Sequence, residues 1–483
     1  MTRIVSRRSM LKTMVGVAGA ALLNACAPAA PAAEPTTAPV AAEPTQPPAV
    51  EATQAPAAVE PTATVAAPAA KEEVNLRVFF GANPEEAKVR QTIFDGFTAN
   101  NSGIKITPEI PTQNTTEALL TQVAGGDPPD IAMAWELQYP ILAEKGVYLD
   151  LMQVISADPE YQSKVLPDFY QSHIDMYTWK GKLNVLPEQN ASVVLYYNKK
   201  LFDEAGVAYP PTDWTDKNWT WEAFMAACQK LTKKEGDQTT QFAFTEAWWP
   251  PLSAVIFAYS NGGNWFDRYS DPTKVTMTDP KVVEAFQFYS DLWNKDKVAT
   301  NPEQWKVQAG YQMFAAGKAA MTLVGHWFYP EFAKAEHNLS MDIGVFPTGP
   351  GGTTSKTDLG GTGMSIVAMT KHQEEAWKFL RFECGPEGQK VIAQSGLFAP
   401  TLKSVASSSD FLGAHSAIKN AEVFNTAMDN AVSFPIGPAW DAMADRLGRN
   451  LDALWNGQTN AADALAKAET EMQQALDESK SGG

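Results

Sequence analysis

The chain has 483 residues, a formal net charge of −17, 45% hydrophobic residues and only three cysteines. An acidic body with no basic stripe is a poor partner for nucleic-acid phosphates, and three cysteines cannot build a disulfide scaffold. The length after the amino-terminal segments suffices for two domains with real hydrophobic cores.

The chain opens "MTRIVSRRSMLKTMVGVAGAALLNAC". A basic start (Arg3, Arg7, Arg8, Lys12) precedes an apolar stretch from Met14 to Leu23, too short to cross a bilayer. This reads as a secretory signal over residues 1–25. The Arg7–Arg8 pair resembles the twin-arginine export signal, with Met10 where that signal usually has Phe. "LNAC" resembles a bacterial lipobox, which implies cleavage before Cys26, lipidation of its sulfur and anchoring on the outer face of the cytoplasmic membrane. Residues 26–73 then read as a tether. Rich in Ala, Pro and Thr and without aromatics, it buries too little surface to offset the entropy of ordering. As a coil it spans about 35–40 Å.

From Val74 the pattern changes. "VNLRVFFG" alternates as a strand, and a helix is predicted from Pro84 with an apolar stripe of Val89, Ile93, Phe94 and Phe97. "IKITPEI" predicts a second strand, "TTEALLTQVAGG" a helix closed by Gly125 and Gly126, and "PDIAMA" a third strand. Helix and strand alternate onward, which predicts α/β layers. The far end is helical: Leu465, Met472 and Leu476 recur at helical spacing, with Thr459 or Asn460 as the cap. Cys228 and Cys384 read as small buried apolar groups. The five histidines show no close ligand spacing, and there is no GxSxG elbow and no P-loop, so neither metal nor cofactor is expected.

Tryptophan carries the functional signal. Of fourteen, several fall in loops or at strand ends: Trp135, Trp248 with Trp249, Trp265, Trp327 and Trp440. Loops after strands are where open α/β sheets hold ligands, and flat aromatic faces pack on the C–H faces of sugar rings. Polar partners for ring hydroxyls lie close by: Glu136, Gln138, Glu188, Gln189, Asn190, Asn261, Asn264 and Asp267. Trp221, Trp293, Trp377 and Trp455 fall in helical runs and are assigned to packing. Two alternatives stay open: a glycan hydrolase or lyase using Glu136 and Glu188 as its carboxylate pair, and a binder of phosphorylated or peptide-like solutes.

Six segments, in order, resemble the extracellular solute-binding proteins of ABC importers, of the maltodextrin-binding type. They are "LLTQVAGGDPPDIAMAW", "GKLNVLPEQNASVVLYYNKKLFDEAG", "PPTDWTDKNWTWEAFMAACQKLT", "FAAGKAAMTLVGHW", "DIGVFPTGPGG" and "GGTGMSIVAMTKHQEEAWKFLRFECGPEGQKVI". The resemblance implies an α/β two-lobe clamp with a ligand cleft between the lobes. Residues 74–188 plus 347–403 would form the first lobe, and 189–346 plus 404–483 the second. It implies a non-enzymatic, monomeric protein that captures a carbohydrate by hinge closure and passes it to ABC permease subunits. Family binding roles fall on Trp135, on Glu188, Gln189 and Asn190, on Trp327 and Trp440, and on Gly361 and Thr362. Ala191 stands where the family carries an acid. Cys228 and Cys384 would lie on different lobes.

Overall fold

The computed structural model describes residues 73–112 and 115–481. The signal, the tether and Cys26 lie outside the described residues.

The first strand, β1 (Val74–Phe79), alternates with Leu76 and Val78 inward. It leads into α1 (Pro84–Asn100), which starts as the sequence predicts: Asn83 caps the main chain of Glu85 and Glu86, and Glu86 returns a bond to the Asn83 N–H. The α1 core face holds Ile93, Phe94 and Phe97, but also Arg90, which the apolar stripe did not reveal. β2 (Ile104–Glu109), α2 (Thr115–Ala124), β3 (Ile131–Trp135) and α3 (Tyr139–Glu144) follow, so Trp135 closes a strand instead of following one. β4 (Leu186–Asn190) ends this first pass.

The chain then turns within three residues into a different sheet. β5 (Val193–Asn198) is buried along its whole length. α4 (Trp221–Leu231), β6 (Lys233–Glu235), β7 (Gln238–Glu246), α5 (Pro250–Ser260), α6 (Pro280–Asn294), β8 (Ala319–Gly325) and β9 (Met341–Gly344) complete that layer. Helix α5 is buried from Pro251 to Ser260, as a helix apolar on every side must be. β10 (Thr357–Leu359) and β11 (Gly361–Ile366) bring the chain back, followed by α7 (Gln373–Glu383), α8 (Pro386–Ser395) and β12 (Ala399–Pro400). The last crossing carries α9 (Ser409–Ala414), α10 (Val423–Asn430), β13 (Ala431–Ser433) and the helices α11 (Trp440–Trp455) and α12 (Ala461–Ser481). Asn460, not Thr459, caps α12, its side chain accepting from Asp463 N at 2.9 Å.

Two sheets result. One has six strands in the order β12-β4-β11-β3-β1-β2, parallel from β3 through β1 to β2 and antiparallel elsewhere; the other has five, in the order β9-β5-β8-β7-β6. A two-stranded ribbon of β10 and β13 joins segments of the return and last crossings. Each sheet is flanked by helices, and the chain passes between the sheets more than once. This is the two-lobe clamp, without a second linker. Phe80, Phe94, Phe97, Phe379 and Phe382 pack edge to face or tilted at 5.1–5.8 Å between α1, α7 and the first sheet. Cys228 and Cys384 are free and buried, one in α4 beside the five-stranded sheet, the other at the end of α7 beside the six-stranded sheet. Among the described residues no helix is long and apolar enough to cross a membrane.

Candidate functional site

The carboxyl ends of β1 and β3 and the start of β11 meet at one edge of the six-stranded sheet. There they enclose a cavity of about 290 Å³. Trp135 and Phe398 supply its aromatic walls, Gln189 and Thr362 its neutral polar groups, and Glu86 and Arg90 its charged ones. The register explains the grouping: Thr362 pairs with Trp135 on one side and with Gln189 on the other, with a bulge after Thr362. Thr362 Oγ1 has no hydrogen-bond partner. Gly81 makes room for the indole, since a Cβ there would lie 2.6 Å from Trp135 Cη2.

Arg90 forms the charged floor. It is 1% exposed and donates to Glu188 at 2.7 Å and to Glu383 at 2.9 Å. Glu188, predicted as a ligand contact, is therefore held inside the lobe by Arg90. Glu136 follows the Trp135 strand end and keeps part of its surface open. Desolvation pushes its carboxyl up to about 8, the negative Asp358 adds to this, and the N–H groups of Glu136 and Gly361 oppose it. Asp358 itself is pushed up to about 6 by burial, against hydrogen bonds from Val193 N and the Thr357 hydroxyl. Gln138 reaches Asp441, on the first turn of α11, at 3.5 Å.

The second lobe offers another aromatic group. Trp248 and Trp327, both half-buried, meet edge to face at 6.1 Å, and Phe434 lies 6.1 Å from Trp248. Trp327 folds back over Gly325, where a Cβ would fall 1.8 Å from its Cζ3. Buried Glu246 fixes the loop by accepting from Trp248 N at 2.5 Å.

The remaining candidates are placed elsewhere. Trp265 is buried, donates to Tyr259 OH at 2.8 Å and packs edge to face on Trp440 at 6.2 Å; Trp440 is itself 6% exposed. Asn261 is fully buried and bonded to Lys281 O, Glu284 and Gly351 N. Asn190 stabilises the turn between the sheets by accepting from Ser192 N. Gly361 contributes its carbonyl to Tyr177 OH at 3.1 Å. Thus Trp135, Gln189 and Thr362 share one cavity, Trp248 and Trp327 form a second cluster, and Trp265, Trp440 and Asn261 are scaffold. Sequence reasoning missed Gly81, Glu86, Arg90 and Phe398; a lone arginine in the α1 apolar stripe was the available signal. Among the described residues no group of His, Cys, Asp or Glu could hold a metal ion.

Two sheet-based lobes, one with a ligand-sized recess and both with aromatic clusters, have the architecture of a solute-binding clamp. Residues 81–390 match the family of bacterial extracellular solute-binding proteins, and the chain belongs to that family. It is similar to the diacetylchitobiose binding protein DasA of Streptomyces coelicolor, 23% identical over 84% of this chain and 90% of that one. It is also similar to the multiple sugar-binding protein of Streptococcus mutans, 25% identical over 66% and 72%. Among solved structures, the ABC substrate-binding protein Lmo0181 of Listeria monocytogenes, in complex with cycloalternan, superposes with a TM-score of 0.72 at 25% identity, covering 84% of this chain and all of that one.

Proposed function

We infer that this protein captures a carbohydrate between its lobes and delivers it to the transmembrane subunits of an ABC importer. The observation that carries the reading is the first-lobe cavity: an indole wall beside an unpartnered hydroxyl and a buried amide. Sugars need that mixture, a flat apolar face and hydrogen-bonding groups at its rim. Relatives whose names state sugar binding support it. The lobes follow the chain crossings, 74–188 plus 347–403 and 189–346 plus 404–483, except that Gln189 and Asn190 go with the first lobe, because they pair within the six-stranded sheet. Contacts from both lobes favour the closed state, because only differential affinity shifts such an equilibrium. Lipid on Cys26 and the tether of residues 26–73 keep the monomer near its permease and raise its local concentration there.

The test is intrinsic fluorescence and calorimetry with a panel of neutral mono- and oligosaccharides. A sugar that perturbs the tryptophan signal in the wild type and binds at least tenfold more weakly to Trp135→Ala supports the reading; no response to any saccharide sinks it. Unchanged reducing ends after long incubation separate capture from hydrolysis. Cys26→Ser moves the protein from the membrane to the soluble fraction if the anchor is as described.

A further inference from the structure

The wall of the first-lobe cavity carries one carboxylate, Glu86, and one cation, Arg90. Arg90 is the only lysine or arginine lining it, and both arms of its guanidinium are engaged, Nη2 by Glu188 and Nη1 by Glu383. Glu86 lines the same cavity and lies within the field of both Arg90 and Glu188. Its Oε2 accepts from Asn83 N at 2.8 Å, which fixes the carboxylate at the first turn of α1. Glu188 Oε1 and Glu383 Oε2 are buried with no partner. One guanidinium therefore answers three carboxylates. Burial, with the Glu188 charge adding and Arg90 opposing, holds the Glu383 carboxyl at about 8. The Arg90 guanidinium is thus taken up inside the lobe, and Glu86 is left as the carboxylate on the cavity wall. The indole of Trp135 adds the negative face of a ring quadrupole.

A free arginine in this place would be a two-pronged receptor for a carboxylate or phosphate. Here both prongs are taken. An incoming anion would have to enter beside Glu86 in a recess shielded from water, where like charges repel strongly. A neutral ring meets Gln189 and the Thr362 hydroxyl with no such cost, and an ammonium group meets the unanswered charge.

Building on the sugar reading of this cavity, we propose that it sorts ligands by charge. It accepts a sugar ring that is uncharged or bears a protonated amine, and it turns away a ring bearing carboxylate, sulfate or phosphate. Glu86 on the wall sets this rule, with both arms of Arg90 occupied by Glu188 and Glu383.

The experiment offers the mature protein a pool of α- and β-linked disaccharides built from glucose, glucosamine and glucuronate at pH 7, and reads retained species by native mass spectrometry. The expected result is retention of neutral and amine-bearing members, with glucuronate members at least tenfold lower. Equal or preferential retention of glucuronate members overturns the charge rule while leaving sugar capture intact; retention of no saccharide overturns sugar capture and the rule with it. Glu86→Gln, at a half-exposed position where folding is not at stake, raises the glucuronate-to-neutral ratio by roughly tenfold. A ratio that stays constant in this variant overturns the assignment to Glu86.

Discussion

The Nε2 atoms of His326 and His415 lie 2.5 Å apart in a pocket closed by Tyr329, Phe411 and Phe424. His326 follows the last residue of β8, next to Trp327, while His415 ends α9, which packs on α8 beside the six-stranded sheet. The pair thus ties the end of β8 in the five-stranded sheet to the end of α9. His415 Nδ1 donates to Phe411 O at 2.6 Å, so its Nε2 is the acceptor and His326 supplies the shared hydrogen. Among the described residues no carboxylate charge acts on the pair, and Asp410 on α9 turns to Gln394 and Lys390 instead.

Acid should therefore weaken this seam. Desolvation, then the His415 charge, hold His326 well below its ordinary 6.5, with the Leu397 main chain opposing; burial lowers His415 too. A base depressed in the folded state costs nothing above its unfolded value. The penalty begins as pH falls through about 6.5 and grows until the folded form titrates. Wild-type Tm is expected to fall more steeply than that of His326→Gln between pH 7.5 and 5. Buried His173, lowered to about 4, contributes equally to both proteins and cancels. Parallel Tm curves would remove the pair from the account.

Gly81 and Gly325 should matter to ligand affinity because of the indoles they seat. Each lies under an indole at the end of a strand, beneath Trp135 and Trp327 respectively. Gly325 has φ −82°, a conformation any residue adopts, so alanine there acts through steric displacement of Trp327 alone. Overpacking of this kind costs about 1–3 kcal/mol. Gly81→Ala and Gly325→Ala are expected to shift the tryptophan emission and weaken ligand binding by roughly tenfold, with circular dichroism unchanged. Wild-type affinity in both would show that the indoles need no such seat.

The fold was legible because periodicity and caps agree along the chain. The strand–helix–strand start at Val74, the Pro84 helix and the α12 stripe all appear where their patterns put them. The site was legible only in part. Trp135, Gln189 and Thr362 come from distant segments and meet through strand register, which the family's segment order carries and residue spacing does not. Trp265 and Trp440 misled because loop-like flanks (Asn264, Pro438) suggest exposure, whereas their indoles pack on each other beneath the surface. Arg90 was hidden for the opposite reason. Its position reads as one polar interruption of a helix stripe, and its two acids lie 98 and 293 residues away in sequence.

Trp265 and Trp440 should accordingly behave as core residues. Large-to-small substitution of a buried tryptophan costs about 3–5 kcal/mol. Trp265→Ala is expected to lower Tm markedly and to leave the Tyr259 hydroxyl with its bond to Ser433 O alone. Trp135→Ala and Trp327→Ala, at half-buried positions, are expected to lower affinity with a smaller loss of Tm. Paired calorimetry of binding and unfolding on the four variants checks the division; an unchanged Tm in Trp265→Ala would return that residue to the cleft.

The last prediction concerns the balance of the buried triad. Removing Arg90 leaves Glu188 and Glu383 together with no cation, which in buried ion pairs costs about 3–5 kcal/mol. Removing all three charges at once, as Arg90→Met with Glu188→Gln and Glu383→Gln, eliminates the stranded carboxylates. The triple variant should therefore be more stable than Arg90→Met alone, despite carrying more substitutions. The pH dependence of the single variant adds a signature. A carboxyl raised in the folded state favours folding while protonated and loses that advantage as pH climbs from its unfolded value toward its folded one. With Arg90 gone, the opposing pull on Glu383 is lost, and its carboxyl rises above the wild-type value of about 8. Arg90→Met should then lose more Tm than the wild type on moving from pH 5 to pH 8, and the triple variant should lose least. Equal slopes in all three proteins, read by thermal melts, would mean that the guanidinium does not hold the two acids in check.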